Sequence, residues 1–410
     1  MDFLIGNAIV GQSGGPTSAI NATLAGVIRG ASKGKGIKKL YGMKNGIEGF
    51  LQDKLIDLSH LYNNEEALFI LESTPASALG SCRKRLPNIS DDSEVYENVF
   101  NIFKKYDIRY FFYIGGNDSM DTVYKLSEYS KKCYYEIRII GIPKTIDNDL
   151  VITDHAPGYG SASKYISTTI KEIARDTSAY LCKAVTIVEI MGRDAGWLTA
   201  SAGLPKYLGS DGADLIYLPE VSFSDDEFIL SLKKLLLEKP NIVVAVSEGV
   251  RYSDGRYVGE GMQSGSTDAF GHKYLAGTAK VLEQLVKEQI GCKTRSVELN
   301  LPQRCSSHIA SATDILESSQ IGSYAVECAR NNISGKMVIF KRKAVNYEIE
   351  LGFEDVSKIA NQVKLVPRSY INEKGNNITY ECMEYIAPLI RGERNIKYEN
   401  GLPVHFNIRG

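Results

Sequence analysis

Residues 137–150 read IRIIGIPKTIDNDL. The first seven, IRIIGIP, form a short and nearly continuous apolar run. Such a run suits a strand covered on both faces, as in a parallel sheet. Lys144, Thr145, Asp147, Asn148 and Asp149 follow at once. Charge crowded at the end of a buried strand has two readings. Asp and Asn are common turn formers, so a surface turn is one. A site that handles protons and phosphates is the other.

The flanking sequence repeats this grammar. NAIVGQSGG (7–15) and YFFYIGG (110–116) are buried strands that run into glycines, and helical patterns follow at 17–31 and 118–132. In residues 161–180, Ala162, Ile166, Ile170 and Ala174 recur at i+4 steps, with Ser161 as the expected N-cap. Further strands are expected at 183–192, 214–220, 241–249 and 295–300, and helices at 195–204, 224–239, 273–289 and 306–330. This β-α alternation predicts an α/β fold with mostly parallel sheets covered by helices. The tail beyond about Arg342 is less periodic and is not assigned.

Bulk properties narrow the class. The chain has 410 residues, 43% hydrophobic and 24% charged, with 48 basic and 49 acidic side chains. A net charge of −1 leaves no nucleic-acid footprint and no polybasic membrane patch. Seven scattered cysteines, none at C-x-x-C spacing, argue for a reducing, cytoplasmic setting. MDFLIGNAIV lacks a basic start and reads as a poor signal peptide. No apolar run approaches the roughly 18 residues that span a bilayer. Five histidines without H-E-x-x-H spacing make a histidine-built metal site a poor reading.

Polar clusters recur just after strands, where α/β proteins bind ligands. They are GQSGGPTS (11–18), GGNDS (115–119), PKTIDND (143–149), MGRDAG (191–196), SEG (247–249) and LPQR (301–304). Gly14 and Gly15 allow backbone N–H groups to approach an anion. Gly116 adds to that cradle, and Asn117 and Asp118 offer oxygen ligands to magnesium. Each has a bland reading as a tight turn or a helix cap. A carboxylate beside Lys144 can accept a proton from a substrate hydroxyl. The fork of Arg193 suits phosphate oxygens, and Arg83, Lys84, Arg85, Lys183, Arg295 and Arg304 add local positive charge. Together the clusters describe phosphoryl transfer by positioning and charge neutralisation.

SGGPT, GGNDS, PKTIDND, MGRDAG, SEG and QR stand in the order and spacing of the 6-phosphofructokinases, and the resemblance spans residues 4–330. It implies two similar α/β domains around an active-site cleft, magnesium as cofactor, and a homodimer or homotetramer that shares sites between subunits. It divides the chain into residues 1–155 on the donor and magnesium side, residues 156–305 on the sugar-phosphate side, and a helix and extension at 306–410. Gly14, Gly15, Gly116 and Arg83 resemble the donor-phosphate contacts. Asp147 resembles the catalytic base, with Asp149 beside it. Thr145, Ile146, Met191, Gly192, Arg193 and Glu248 resemble sugar-phosphate contacts. Arg295, Arg304 and Leu301 match the 6-phosphate region, and Lys183 the position that reaches across an interface. Asn117 stands where many members carry aspartate, and Leu301 where many carry histidine or tyrosine.

Two positions bear on the donor. Members using ATP carry glycine at the positions of Asp118 and Lys144, whereas pyrophosphate-dependent members carry aspartate and lysine. A carboxylate at 118 crowds and repels a nucleotide α-phosphate, and a lysine at 144 neutralises the departing phosphate. The resemblance thus implies reversible phosphoryl transfer from pyrophosphate to the 1-hydroxyl of fructose 6-phosphate, in glycolysis and gluconeogenesis. An ATP-dependent kinase of the same family and a non-catalytic regulatory subunit are the alternatives.

Overall fold

A computed structural model describes residues 4–260, 277–343 and 347–408. The first of its two main sheets has seven strands. These are β1 (Gly6–Gln12), β2 (Ile37–Met43), β3 (Leu55–Asp57), β4 (Ile108–Gly115), β5 (Arg138–Pro143), β10 (Lys336–Arg342) and β11 (Ile349–Asp355), in the order β11-β10-β5-β4-β1-β2-β3. The second has β6 (Ala184–Ile190), β7 (Leu215–Tyr217), β8 (Asn241–Ser247) and β9 (Lys293–Glu298), in the order β7-β8-β6-β9. Every pairing in the second sheet is parallel, and in the first only the outer β2/β3 and β10/β11 pairs are antiparallel.

The apolar runs are buried on both faces, as their composition requires. Ala8, Val10, Tyr110, Phe112, Ile140 and Ile142 pack on one face of the first sheet. Ile9, Phe111, Tyr113 and Ile139 alternate onto the other. In the second sheet Val188 and Ile190 divide in the same way from Val185 and Ile187. The carboxyl ends of β1, β4, β5, β6, β8 and β9 lead into residues that line a single cleft.

Two local expectations change, and a third is described only in part. The helix Tyr159–Thr177 starts before Ser161, from Gly158 at φ 104°. Its first turn is capped from outside: Asp314 accepts from Gly158 N and Ser161 N, both at 2.9 Å. A carboxylate is favoured there because the helix start leaves unpaired N–H groups and a positive dipole end. The helix expected over 306–330 runs Ala312–Arg330 behind a separate turn, Ser307–Ile309. The one expected over 273–289 is described as Thr278–Gln289, and residues 273–276 lie outside the described residues.

The unassigned tail supplies β11 to the first sheet, next to β10, which precedes it. It gets there through the helix Ala312–Arg330, which crosses the helix Ile20–Ser32 with almost no space between backbones. A Cβ on Gly26 would lie 2.0 Å from Ser319 O, and one on Gly322 would lie 2.2 Å from Thr23 O. Gly26→Ala gains about 1 kcal/mol of helix propensity but overpacks a contact where backbone must move, costing roughly 3 kcal/mol or more. The expected result is a melting temperature several degrees lower, measured by calorimetry.

Candidate active site

The cleft has a volume of about 830 Å³ and takes residues from both sheets. At its first end the turn after β1 places Gly14 at φ +78°, a conformation suited to glycine. Lys144, only 3% exposed, donates from Nζ to Gly15 O at 2.7 Å. A Cβ on Gly14 would sit 3.2 Å from that ammonium, and one on Gly15 would sit 3.2 Å from Arg304 Nη1 and 4.0 Å from Arg83 Nη2. Three cations therefore gather on the two glycines. Burial, together with Arg304 and Arg83, pulls Lys144 down to about 8, against the opposing pull of Asp147 and Asp149.

Gly116 precedes the helix Asn117–Lys132, whose N-terminus faces the same end of the cleft. No side chain caps it. Asp118 instead forms an ion pair with Arg85 at 2.7 Å. Both Asn117 amide atoms are engaged by a distant part of the chain: Oδ1 accepts from Asn361 N, and Nδ2 donates to Gln362 O.

The turn after β5 carries the acid cluster. Thr145 Oγ1 accepts from Asp147 N at 3.1 Å and lies 3.4 Å from Asp147 Oδ2. Asn148 is fully buried at φ +53°, facing away from the cleft side of the turn, with Nδ2 donating to the Tyr385 hydroxyl at 3.0 Å. Asp147 and Asp149 flank it and line the cleft with Thr145 and Ile146. Burial raises Asp147 above the usual carboxylate range, with Lys144 and Thr145 opposing. Burial and the charge of Asp147 push Asp149 up to about 7.

Met191, Arg193 and Glu248 come from the second sheet. Two glycines bring their turns together. Gly192 sits at φ +137°, and a Cβ on Gly249 would lie 1.9 Å from Arg193 O. Gly192 N donates to Glu248 Oε1 at 3.3 Å, and burial nonetheless pushes Glu248 up to about 8. The site is thus a buried cationic cradle joined to a group of partly protonated carboxylates, the arrangement expected for moving a phosphoryl group and a proton.

Comparisons with known proteins agree with that chemistry. The phosphofructokinase family profile matches residues 7–329. The chain belongs to the phosphofructokinase family. A pyrophosphate–fructose 6-phosphate 1-phosphotransferase of Halomonas elongata is 40% identical over 402 residues, covering 97% of this chain and 94% of that protein. The protein of the same name from Methylococcus capsulatus is 38% identical over 406 residues, covering 98% and 96%. The crystal structure of a pyrophosphate-dependent phosphofructokinase from Nitrosospira multiformis superposes with a TM-score of 0.89 at 37% identity, covering 98% of this chain and 96% of that one.

Within this phosphofructokinase cleft the structure gathers Gly14, Gly15, Arg83, Gly116, Asn117, Asp118, Lys144, Thr145, Ile146, Asp147, Asp149, Met191, Arg193, Glu248, Leu301 and Arg304. Gly192 lies in the turn behind them. Arg304, expected on the 6-phosphate side, sits over Gly15 beside Arg83. Arg295 and Lys183 do not join them. Arg295 is exposed on β9, in a small groove with Asp176, Tyr180 and Lys293, and Lys183 is exposed next to Cys182 of that groove. β9 is parallel to β6, and Arg295 pairs with Thr186 near their amino ends, whereas the cleft lies at the carboxyl ends.

Sequence reasoning reached Asp194 and Gln303 only within the clusters MGRDAG and LPQR, and missed the lining residues Glu189, Glu298, Asn300, Asn361 and Val363. Glu189 is the last acidic residue of an apolar strand. It accepts from Gly277 N (3.2 Å) and Ala279 N (2.7 Å) at a helix start, while burial raises it to about 7. A carboxylate inside an apolar run was the available signal. Gln303, buried, accepts from Met191 N at 3.3 Å and so fixes the turn after β6.

The raised acids give a pH dependence. Asp149, Glu189 and Glu248 release protons near 7 to 8 when folded and near 4 when unfolded. Between about pH 5 and 8 the substrate-free fold holds more protons than the unfolded chain, so its stability falls as pH rises. Glu283 and Asp355, lowered to about 2, act below this window, and Lys144 acts above it. The melting temperature should drop by several degrees from pH 5.5 to 8 without substrates, and Glu248→Gln should flatten the slope.

Proposed function

We propose that this chain is a pyrophosphate-dependent phosphofructokinase that transfers a phosphoryl group from pyrophosphate to the 1-hydroxyl of fructose 6-phosphate, reversibly. The observation that carries the reading is Lys144 buried against the Gly14–Gly15 turn with Arg83 and Arg304 beside it. Such a cradle neutralises a compact, highly charged donor. The near full-length relatives bear that activity in their names.

In this reading the β-phosphate and the departing phosphate lie on Gly14, Gly15, Arg83, Arg304 and Lys144. Asp147 accepts the proton of the sugar 1-hydroxyl as the O1–P bond forms and the bridging P–O bond breaks. Thr145 orients that carboxylate. Arg193, Met191 and Glu248 hold the sugar phosphate. Asp118, paired with Arg85, narrows the donor end and repels the additional phosphate of a nucleotide.

Magnesium suits this donor set. It takes oxygen ligands and commonly uses one or two carboxylates together with substrate phosphates. Among the described residues no cluster of three His, Cys, Asp or Glu side chains could hold a metal by itself. Asn117 and Asp118 are the residues we assign to it: the Asn117 carbonyl accepts from Asn361 N and has a second lone pair, and Asp118 pairs with Arg85 through Oδ1. When bound, magnesium neutralises the phosphate oxygens. Seven free cysteines support a reducing, cytoplasmic setting, and no helix among the described residues is long and apolar enough to cross a membrane.

A donor comparison tests the reading. With fructose 6-phosphate and magnesium, turnover is expected with pyrophosphate and not with ATP; turnover with ATP alone would overturn it. Asp147→Asn should leave the melting curve intact and lower kcat by about 10³-fold. Near-normal kcat would mean that Asp147 is not the base.

Arg295 and Lys183 fit a second assignment, as 6-phosphate ligands offered to the cleft of a second copy in a homodimer or homotetramer. Their exposure outside their own cleft motivates it. Arg295→Ala should raise KM for fructose 6-phosphate. Mixing inactive Asp147→Asn chains with Arg295→Ala chains should restore low-KM turnover, since one mixed site is then intact. No recovery after confirmed subunit exchange would place Arg295 elsewhere.

A further inference from the structure

The C-terminal segment that leaves β11 passes along the wall of the cleft. Asn361 and Val363 line it, and Asn361 also donates from Nδ2 to Asp121 Oδ1 at 3.3 Å, against the first turns of the helix Asn117–Lys132. The next residue is Lys364. Its backbone N–H donates to Asp149 O at 2.8 Å. Its Nζ donates to Asn148 Oδ1 (3.3 Å), Thr153 O (3.2 Å) and Asp154 O (2.9 Å). All four acceptors belong to the loop that leaves β5. On the other side Lys364 O accepts from Trp197 Nε1 at 2.8 Å, and the ammonium stands 5.3 Å from the centre of the Trp197 ring.

We propose that Lys364 is a positioning residue for the phosphoryl transfer assigned above, clamping the Asp147–Asp149 turn from behind so that both carboxylates face the cleft. The inference rests on that reading of the reaction.

Three observations carry it. First, Asn148 holds a positive φ of 53°, which is uncommon outside glycine and must be kept in place by its surroundings. Its side chain is fully committed: Oδ1 accepts from Lys364 Nζ and from Ala156 N (3.1 Å), and Nδ2 donates to the Tyr385 hydroxyl. That hydroxyl in turn donates to Asp154 O at 2.6 Å. The turn is thus pinned by Lys364 and Tyr385, both from the C-terminal segment. Second, the ammonium bonds to carbonyls and to no carboxylate among the described residues. Desolvating a cation without a directly bonded anion is costly, and an apolar side chain would fill the room more cheaply. Third, the charge acts on Asp149, the carboxylate beside the reacting Asp147, and Asp147 in turn raises Asp149. Asp154 and Asp149 are the acidic groups that raise Lys364 against its burial, and Lys364 opposes the rise of the Asp149 pKa.

Among the described residues, ionisable groups face this turn from both sheets, Glu248 among them, on which Asp147 acts. Lys144, Asp147 and Asp149 belong to the turn itself, and Arg193 and Asp194 act on Asp147 from the second sheet. Behind it lie Asp154, His155 bonded to Asp154 and Glu317, Arg342 from β10, and Tyr385. Among the described residues, Lys364 joins the two sets through hydrogen bonds to both Asp149 and Asp154.

The test is Lys364→Met in the full chain, assayed with pyrophosphate, fructose 6-phosphate and magnesium alongside thermal melting. A displaced turn should lower kcat by about 10²-fold with both KM values within about threefold, and loss of the cation should move the acid limb of kcat/KM to higher pH. A lower melting temperature with unchanged kcat and an unmoved limb would reduce Lys364 to a structural role and overturn the proposal. Should that variant fail to fold, Asn148→Gly keeps the positive φ and removes the acceptor; kcat must fall there too, and unchanged kcat overturns the proposal. If both variants fold, the double variant should be no slower than the slower single one, because they act through one turn; additive losses overturn it. A wild-type chain without turnover would instead sink the assigned reaction and this inference with it.

Discussion

A lysine ammonium buried at the end of β5 can persist only if its surroundings replace water. Here Gly15 O, 2.7 Å away, and the carboxylates of Asp147 and Asp149 do so. The condition fixes much of the first sheet's carboxyl edge. The turn after β1 must lie beside the turn after β5, and Gly14 there holds a positive φ that favours glycine, while a Cβ on Gly14 or Gly15 would crowd the Lys144 or Arg304 head group at 3.2 Å. Parallel neighbours β1, β4 and β5 supply the alignment, since their carboxyl ends open on one side. The three cations and the raised carboxylates then oppose one another across the cleft.

The C-terminal segment holds the two halves around that site. It adds β10 and β11 to the first sheet, runs along the cleft at 361–364, and buries Ile371, Ile378, Cys382 and Ile386 in the core of the second. It then returns to the elements around the first sheet, where Arg394 pairs with Glu72 and Phe406 N donates to Thr74 Oγ1 at 2.7 Å. Burying four such side chains contributes roughly 6–10 kcal/mol before the entropy of ordering is counted. Along the way the backbone of Val366 donates to Glu220 Oε1 at 2.9 Å, and Glu220 also accepts from Gly196 N at 2.8 Å. The route therefore couples the loop after β5 to the turn that carries Arg193.

Most of the cleft was legible because its parts are local. A buried strand followed by glycines, by Lys-Thr-Ile-Asp-Asn-Asp or by Met-Gly-Arg announces both the sheet and the site at its carboxyl end, since strand period and turn chemistry operate over fewer than ten residues. Strands β2 and β3 were not read. β2 carries Lys38 and Lys39 in an otherwise apolar run, and β3 has three residues, so neither shows a buried-strand pattern. The identity of Asp118, Lys144 and Asp147 as candidates for donor and proton chemistry likewise lay in the sequence.

Tertiary structure alone decided which partners those residues meet. Asn117 reads as a metal ligand beside Asp118, yet its amide is taken by residues 361–362, some 240 positions away. Arg304 reads as a sugar-phosphate ligand and stands over Gly15. Arg295 and Lys183 match the same pattern but lie outside the cleft their own chain builds. Lys364, in a tail without clear periodicity, gave no local signal at all. The physical reason is common to the four cases. Hydrogen bonds and charge contacts act over a few ångströms in space, and chain folding brings together residues whose separation in sequence carries no trace of the contact.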